Sequence, residues 1–286
     1  MNTIEPFNPE TFINDRNNIK GKNLPSDIFP KKVILGIDIY RYSQYEPFEQ
    51  IFIPVIFNRL YSLTVNSVLK FENYFFISYG KNSKDFKAKF VSTGDGGFQI
   101  FETPIQAIIF SIYFQANVKK FISGNNLSAY FLKLHGIIDF IDLRYAITSG
   151  MVYLYEGNYY GPGIISNARI LSKDSLNRLL VDYNTIKWFT NNINSVENLM
   201  DIDLKSISHI PEYKESADLE LQSTLFHLKG AIKTVDLLKI GSIKIKESDL
   251  DVYSLHVQAL IRLSTRTNLY NNFLITLGNL NTTGIT

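Results

Sequence analysis

The chain contains no cysteine and only four histidines in 286 residues. Without cysteine there are neither disulfide bonds nor thiolate ligands for a metal, which is typical of a protein kept in a reducing compartment. The histidines lack the spacing of a metal site, so each is interpreted as a structural or surface residue. The metal ligands that remain are oxygen atoms, which hard divalent cations prefer.

Charge is nearly balanced, with 29 lysine and arginine residues against 27 aspartate and glutamate residues. A net charge of +2 gives no general attraction to nucleic acid or to an anionic membrane, so a polyanionic ligand has to be bound locally. The apolar run at 48–63 contains charged and amide side chains and falls short of the about 18 uncharged residues of a membrane span. Because the first residues also lack the pattern of a signal peptide, we expect a soluble, cytoplasmic protein.

Hydrophobic residues make up 45% of the chain and aromatic residues 14%, which is enough for a large core. Alternating strand and helix patterns predict an α+β fold, in which helices pack on a mixed, mainly antiparallel sheet with a ferredoxin-like core. We expect an N-terminal arm over 1–30, a main domain over 31–240 with a surface insertion at 193–222, and a C-terminal extension over 241–286.

Apolar residues at spacings of three and four predict helices over 48–63 and 105–121, the second of which begins at Pro104. The same spacing predicts a helix over 253–261 in the C-terminal extension. Residues 71–79, rich in phenylalanine and tyrosine, are interpreted as a strand.

Two further strand pairs are predicted from β-forming residues. Residues 137–148 and 151–155 are expected to form a pair joined by a turn at 149–150. Residues 226–240 are expected to form a closing hairpin.

Two other β-rich runs each carry an aspartate. VILGIDIYRYS at 33–43 contains Asp38, and VSTGDGGFQIF at 91–101 contains Asp95 within a Gly-Asp-Gly turn. Taken alone, such a turn is a common hairpin signal. Two carboxylates at strand ends can share metal ions, however, and a pair of divalent cations is the usual device for displacement at phosphorus. The pair therefore favours phosphoryl-type chemistry.

Five segments, in this order, resemble the catalytic domain of the class III nucleotidyl cyclases, the adenylate and guanylate cyclase family. They are DIYRYS at 38–43, GDG at 94–96, LRYAITSGMVY at 143–153, YGPGIISNARIL at 160–171 and HLKG at 227–230. The resemblance spans residues 31–240 and implies that this region is a nucleotidyl cyclase domain.

The resemblance also implies a two-metal active site. Asp38, Asp95 and the backbone carbonyl of Ile39 would hold two Mn²⁺ or Mg²⁺ ions. Arg169 would supply the fixed positive charge that the reacting α-phosphate needs, because a guanidinium is always charged and can bind two oxygens. In the family this arginine comes from the other subunit, so the implied enzyme is a homodimer with composite active sites.

The chain departs from the family pattern in the segment after Gly161. Alignment on Gly161 and Arg169 places Ile165 where the family has its ribose-orienting asparagine, and Asn167 follows two residues later. Two residues rotate a helix by about 200°, so Asn167 would face away from the substrate unless the turn is shifted. Asn167 is kept as a catalytic candidate, with the role of a polar surface residue as the alternative.

The residues that select a purine are also replaced. Val91 stands where the family has lysine or glutamate, and Asn158 where it has aspartate or cysteine. The absence of both purine-selecting side chains argues against ATP or GTP as the substrate. Tyr42, Tyr159 and Tyr160 would narrow the base pocket. Lys89, which the strand period of two places on the same face as Val91, would donate to a pyrimidine carbonyl.

A stand-alone cyclase with this pattern is similar to the pyrimidine cyclases of bacterial Pycsar anti-phage systems. The similarity implies formation of cyclic UMP from UTP, or of cyclic CMP from CTP, and a separate effector that is reached only through the product. Lys89 favours UTP, because uracil offers a carbonyl oxygen where cytosine offers an amine.

Two other classes of function stay open. A catalytically degraded cyclase homologue that only binds nucleotide is suggested by Ile165 at the asparagine position. An RNA-binding ferredoxin-like sheet is suggested by the aromatic strand GGFQIF at 96–101, but the low net charge opposes it, and Phe98 and Phe101 are interpreted as core residues. We therefore expect neither a nucleic-acid partner nor a membrane partner.

Overall fold

The computed structural model covers the greater part of the chain. It describes residues 4–10, 28–80, 82–124, 127–191, 232–245, 248–264 and 270–285. The HLKG segment at 227–230 and the predicted insertion at 193–222 lie outside the described residues.

The centre of the fold is strand β1, Lys31–Ile39, most of whose residues are buried. The next two strands along the chain are β2, Phe90–Ser92, and β3, Gly96–Phe101. β1 pairs antiparallel with β3 on one side and with β4, Leu143–Met151, on the other, and β2 pairs with β3. An apolar run such as VILGI is typical of a strand that is covered on both faces.

A short hairpin follows β4 in the chain. It consists of β5, Tyr153–Tyr155, and β6, Asn158–Tyr160, which pair with each other in a separate two-stranded sheet. The N-terminal arm touches this hairpin, because the backbone N–H of Phe7 donates to the carbonyl of Leu154 at 2.7 Å.

The remaining strands extend the central sheet. β7, Leu179–Asp182, pairs in parallel with β4 and antiparallel with β9, Ser248–Ser264. β9 also pairs antiparallel with β8, Ile232–Ile245, and with β10, Tyr270–Leu277. The described residues thus contain an eight-stranded sheet that is mixed and mostly antiparallel, which confirms the predicted α+β fold class.

Seven helices accompany the sheet in the described part of the chain. They are α1 (Pro47–Phe71), α2 (Asn73–Phe76), α3 (Ser83–Lys87), α4 (Pro104–Ile122), α5 (Ala129–His135), α6 (Pro162–Lys173) and α7 (Tyr183–Asn191).

Helices α1 and α4 begin with the same signals. Each has proline in its first turn and a capping box, formed by Glu46 with Glu49 in α1 and by Thr103 with Gln106 in α4. Both predicted helices are confirmed, and their buried side chains share one large core with β-strand residues such as Leu35.

Helix α6 covers the opposite face of the sheet. Ile170 of α6 lies in a second core cluster with Ile34 of β1 and Ala146 of β4. The helix approaches β4 closely through a pair of glycines, since a Cβ atom on Gly150 would lie 2.7 Å from the Cα atom of Gly163. Side chains at this crossing would push the helix away from the sheet.

Four predicted elements are wrong. In the predicted hairpin at 226–240, the described residues 232–240 belong to the single strand β8. Residues 71–79 are helical, in α2 and a 3₁₀ turn at Ile77–Tyr79, instead of forming a strand. β4 runs through the predicted turn at 149–150 and ends at Met151. Residues 253–261 belong to strand β9 instead of a helix, so the C-terminal extension contributes strands to the sheet that holds β1.

Among the described residues, α1 is the one helix long and apolar enough to cross a membrane by length and composition. Its buried residues, including Ile53, Ile56 and Leu60, form part of the large core. Part of the apolar surface of α1 therefore packs inside the protein.

Candidate active site

Asp38 and Asp95 lie at the same end of two neighbouring strands. The register of β1 and β3 places Asp38 opposite Gly96, and the backbone N–H of Ile39 donates to the carbonyl of Asp95 at 3.2 Å. Both aspartates line one cavity of about 430 Å³. The strand pairing therefore brings together two carboxylates that are far apart in the sequence.

Arg144, at the start of β4, places a positive charge between the end of β1 and the loop that follows α6. Its Nε atom donates to Oδ2 of Asp38 at 2.5 Å, and its Nη1 atom donates to the carbonyl of Asp174 at 2.8 Å. Burial raises the pKa of Asp38, the Arg144 guanidinium opposes this rise, and the Asp95 carboxylate adds to it. The two aspartates are thus close enough to interact electrostatically.

The donor atoms at this cavity fit a hard divalent cation. No group of three or more histidine, cysteine, aspartate or glutamate side chains suited to a metal occurs in the part of the chain that is described. The candidate ligands Asp38, Ile39 and Asp95 all line the cavity, which gives two carboxylates and a backbone carbonyl. Mg²⁺ and Mn²⁺ accept such a set when water and phosphate oxygens complete it.

The loop after β1 forms one wall of the cavity. Tyr42, predicted as a pocket residue, lines it, and the Tyr42 hydroxyl donates to the carbonyl of Gln50 at 3.4 Å. The hydroxyl of Tyr40 donates to the carbonyl of Ser175 at 2.9 Å. These two hydrogen bonds tie the wall to α1 on one side and to the loop after α6 on the other.

Lys89 and Val91, the other predicted base-pocket residues near β2, do not line this cavity. The sequence predicts that Lys89 and Val91 lie on one strand, but Lys89 is in the turn just before β2 and only Val91 belongs to that strand. The Nζ atom of Lys89 is 3.4 Å from Glu102 Oε1 and 4.6 Å from the ring centroid of Tyr79. Burial lowers the pKa of Lys89, and Glu102, which also pairs with Lys32, opposes this change.

Asn158 is exposed at the start of β6 and does not line the cavity. Its Oδ1 atom accepts a hydrogen bond from the backbone N–H of Tyr159 at 2.9 Å. Tyr159 itself is buried, in the core cluster on the α6 face of the sheet. The β5–β6 hairpin therefore carries an exposed polar side chain, Asn158, next to a buried aromatic one, Tyr159.

Asn167 is not placed at the cavity, and its position argues against a catalytic role. Its side chain is 0% exposed, and its Nδ2 atom donates to the carbonyls of Ile34 and Ala146 at 2.9 Å each. Ile165 is 52% exposed, so the two residues do lie on opposite faces of α6, as the helical rotation predicts. Asn167 holds the helix to the sheet. It is not the polar surface residue of the alternative interpretation either.

Arg169, the second polar candidate on α6, is partly exposed. It does not line the cavity of its own chain. This position is compatible with the predicted contact across a dimer, which stays a prediction.

Two charged residues of the cavity, Arg144 and Arg41, are not among the predicted site residues. Arg144 sits on the strand next to β1, directly opposite Asp38 in the register. Its signal is an arginine at the edge of an otherwise apolar strand, LRYAI. Arg41 lies within the DIYRYS segment itself, between the predicted site residues Ile39 and Tyr42. That position is its sequence signal.

No family model and no curated protein matches the chain. Among solved structures, the chain is similar to the adenylyl cyclase CyaB from P. aeruginosa, with 12% identity over 84% of this chain and 96% of that one and a TM-score of 0.42. It is similar to an adenylate/guanylate cyclase/hydrolase from Silicibacter pomeroyi, with 14% identity, coverages of 79% and 96%, and a TM-score of 0.39. A guanylyl cyclase domain from the fungus Blastocladiella emersonii gives 11% identity, coverages of 79% and 95%, and a TM-score of 0.37.

Proposed function

We propose that the protein is a nucleotidyl cyclase, which converts a nucleoside triphosphate into a 3′,5′-cyclic monophosphate and pyrophosphate. The observation that carries this proposal is the convergence of Asp38 and Asp95 on one cavity. In the reaction, the ribose 3′-oxygen forms a bond to the α-phosphorus, and the bond from that phosphorus to the pyrophosphate oxygen breaks. Two bound Mn²⁺ or Mg²⁺ ions would supply acidification of the 3′-hydroxyl and neutralisation of the triphosphate.

In this proposal, the residues of this chain bind the cations and the α-phosphate and hold the binding groups in position. Asp38, Asp95 and the Ile39 carbonyl hold the cations, and Arg144 fixes the orientation of the Asp38 carboxylate through its Nε atom. Arg169, partly exposed on α6, supplies the charge that binds the α-phosphate in the cavity of a second copy. The active enzyme is then a homodimer with composite sites.

The preferred substrate in this proposal is UTP, with CTP as the alternative. Val91 and Asn158 replace the side chains with which related cyclases select purines, and Val91 cannot form a hydrogen bond to a base at all. In this proposal the base extends beyond the aspartate cavity, and the ammonium of Lys89, which Glu102 holds outside that cavity, donates to the uracil carbonyl. The cyclic product would act as a second messenger for a separate effector in anti-phage defence.

The test is to incubate the purified protein with ATP, GTP, CTP and UTP in separate reactions with Mn²⁺ and to separate the products by chromatography. We expect cyclic UMP to dominate. Asp95→Ala should abolish turnover with little loss of stability, because Asp95 lies in a turn. Asp139→Ala, which removes an exposed carboxylate outside the cavity, is the matched control and should keep full activity.

Cyclic AMP as the main product would refute the pyrimidine assignment. The cyclase activity itself would be refuted if none of the four nucleotides gave a cyclic product. One observation supports a second candidate function. Ile165 places an exposed apolar side chain at the position of the ribose-orienting asparagine, which suits a homologue that binds nucleotide without turnover. Tight binding of UTP by a protein that forms no product would favour that function.

A further inference from the structure

Arg41 has a backbone conformation that arginine seldom adopts. Two non-glycine residues with positive φ occur in the described residues, Arg41 at 58° and Glu156 at 48°. Glu156 lies beside Gly157 in the turn between β5 and β6, where positive φ is ordinary. Arg41 lies in the wall of the aspartate cavity, and strained backbone conformations cluster at binding and active sites.

The surrounding loop holds Arg41 in this conformation. Arg41 has ψ of 33°, in the left-handed region, and a short 3₁₀ helix begins directly after it. The carbonyl of Arg41 accepts a hydrogen bond from the backbone N–H of Gln44 at 2.8 Å. Its guanidinium carbon lies 4.9 Å from the ring centroid of Tyr40, and that ring is fixed through its hydroxyl to Ser175. The side chain is therefore kept at the rim of the cavity.

The charges around the cavity leave Arg41 available to a ligand. Arg144 is already engaged by Asp38 and by the Asp174 carbonyl. In the described part of the cavity wall, Arg41 is the remaining arginine, and its guanidinium has no carboxylate partner there. The Arg41 side chain is also exposed, so an incoming anion can reach it.

We propose that Arg41 binds the β- and γ-phosphates of the nucleoside triphosphate, the part that leaves as pyrophosphate. This inference rests on the proposed function, because it assumes a triphosphate in the cavity. A guanidinium can donate two parallel hydrogen bonds to phosphate oxygens. Arg41 thus faces the leaving group while the aspartates hold the cations at the reacting phosphorus.

The test uses inorganic tripolyphosphate, which carries the three phosphates without base or ribose. Its binding to the full chain in the presence of Mn²⁺ is measured by calorimetry for wild type, Arg41→Gly and Arg41→Asn. Loss of a hydrogen-bonded charge pair should weaken binding about tenfold or more in both variants. Arg59→Gln, which removes an exposed arginine on α1, is the control for net charge and should bind as wild type.

Thermal unfolding separates this role from a structural one. Glycine and asparagine adopt the left-handed conformation more readily than arginine, so neither variant should unfold at a lower temperature than wild type. Wild-type affinity in both variants, or a lower unfolding temperature in both, would overturn the assignment. Cyclic product with Arg41-independent tripolyphosphate binding would refute this inference alone. Arg41-dependent binding without product from any nucleotide would refute the proposed reaction alone.

Discussion

Replacing Asn167 by alanine is expected to destabilise the fold, because the side chain fastens α6 to the sheet. Asn167 is fully buried and donates to the carbonyls of Ile34 in β1 and Ala146 in β4, both at 2.9 Å. Each bond contributes roughly 1 kcal/mol net, and the buried carbonyls left without this donor raise the cost, so we expect a loss of about 3 kcal/mol. The unfolding temperature should fall by about 6–12 °C.

A second substitution tests the same packing from the strand. A Cβ atom on Gly36 would lie 2.0 Å from Asn167 Oδ1 and 2.6 Å from a methyl carbon of Leu171. Gly36→Ala should therefore destabilise the protein by about 1–3 kcal/mol through overpacking. In the Asn167→Ala background one of these two clashes is gone, so the double variant should lose less than the sum of the single losses, by about 1 kcal/mol.

Urea unfolding followed by fluorescence gives the three free-energy differences, and turnover is measured on the same preparations. Asn58→Ala, an exposed asparagine on α1, is the control and should change stability by less than about 0.5 kcal/mol. The reasoning is refuted if Asn167→Ala unfolds like wild type while turnover collapses, since that is the behaviour of a catalytic asparagine.

Two further substitutions probe the surroundings of the cavity. Arg178→Met should lower the free energy of unfolding by about 3–5 kcal/mol, because the buried Asp174 carboxylate, 2.7 Å from Arg178 Nη2, loses its partner. Urea unfolding measures this loss, with the exposed Lys187→Met variant as the control. A loss under about 1 kcal/mol would contradict the prediction. Lys89→Met should lower the preference for UTP over CTP about tenfold, measured as the ratio of kcat/KM values, while Glu102 keeps its pair with Lys32. An unchanged ratio would show that Lys89 does not read the base.

The sequence was sufficient for those features that depend on local pattern. A strand that carries Asp38 next to its last residue and a Gly-Asp-Gly turn at Asp95 predict two carboxylates at strand ends, and the sheet register brings them together. The rotation of a helix predicts opposite directions for Ile165 and Asn167, and their exposures agree. The identity of the Asn167 partners was not predictable, because they are carbonyls of strands distant in the chain.

Burial on both faces explains the wrong prediction for β9. In β9, Val252, Ser254, Leu255 and Val257 are all buried, so the alternation that marks a half-exposed strand is absent and the spacing of the apolar residues imitates a helix. Residues 71–79 show the converse. Their aromatic side chains suggest a strand by composition, but Phe76 and Tyr79, three residues apart, both pack into the large core from helical turns.

The position of the Asp38 carboxylate depends on a series of contacts that extends to the C-terminal segment. Arg144, 106 residues from Asp38 in the chain, binds Asp38 and the Asp174 carbonyl, and the Asp174 side chain pairs with Arg178. Arg178 in turn donates to the carbonyl of Thr283 at 2.7 Å. The Asp174–Arg178 pair spans four residues, whereas the other contacts join residues distant in the chain. The candidate metal ligands are therefore predictable from the sequence, but most of the groups that orient them are not. Because Arg178 sits between the C-terminal segment and the loop that holds Arg144, its loss should affect metal-dependent turnover as well as stability.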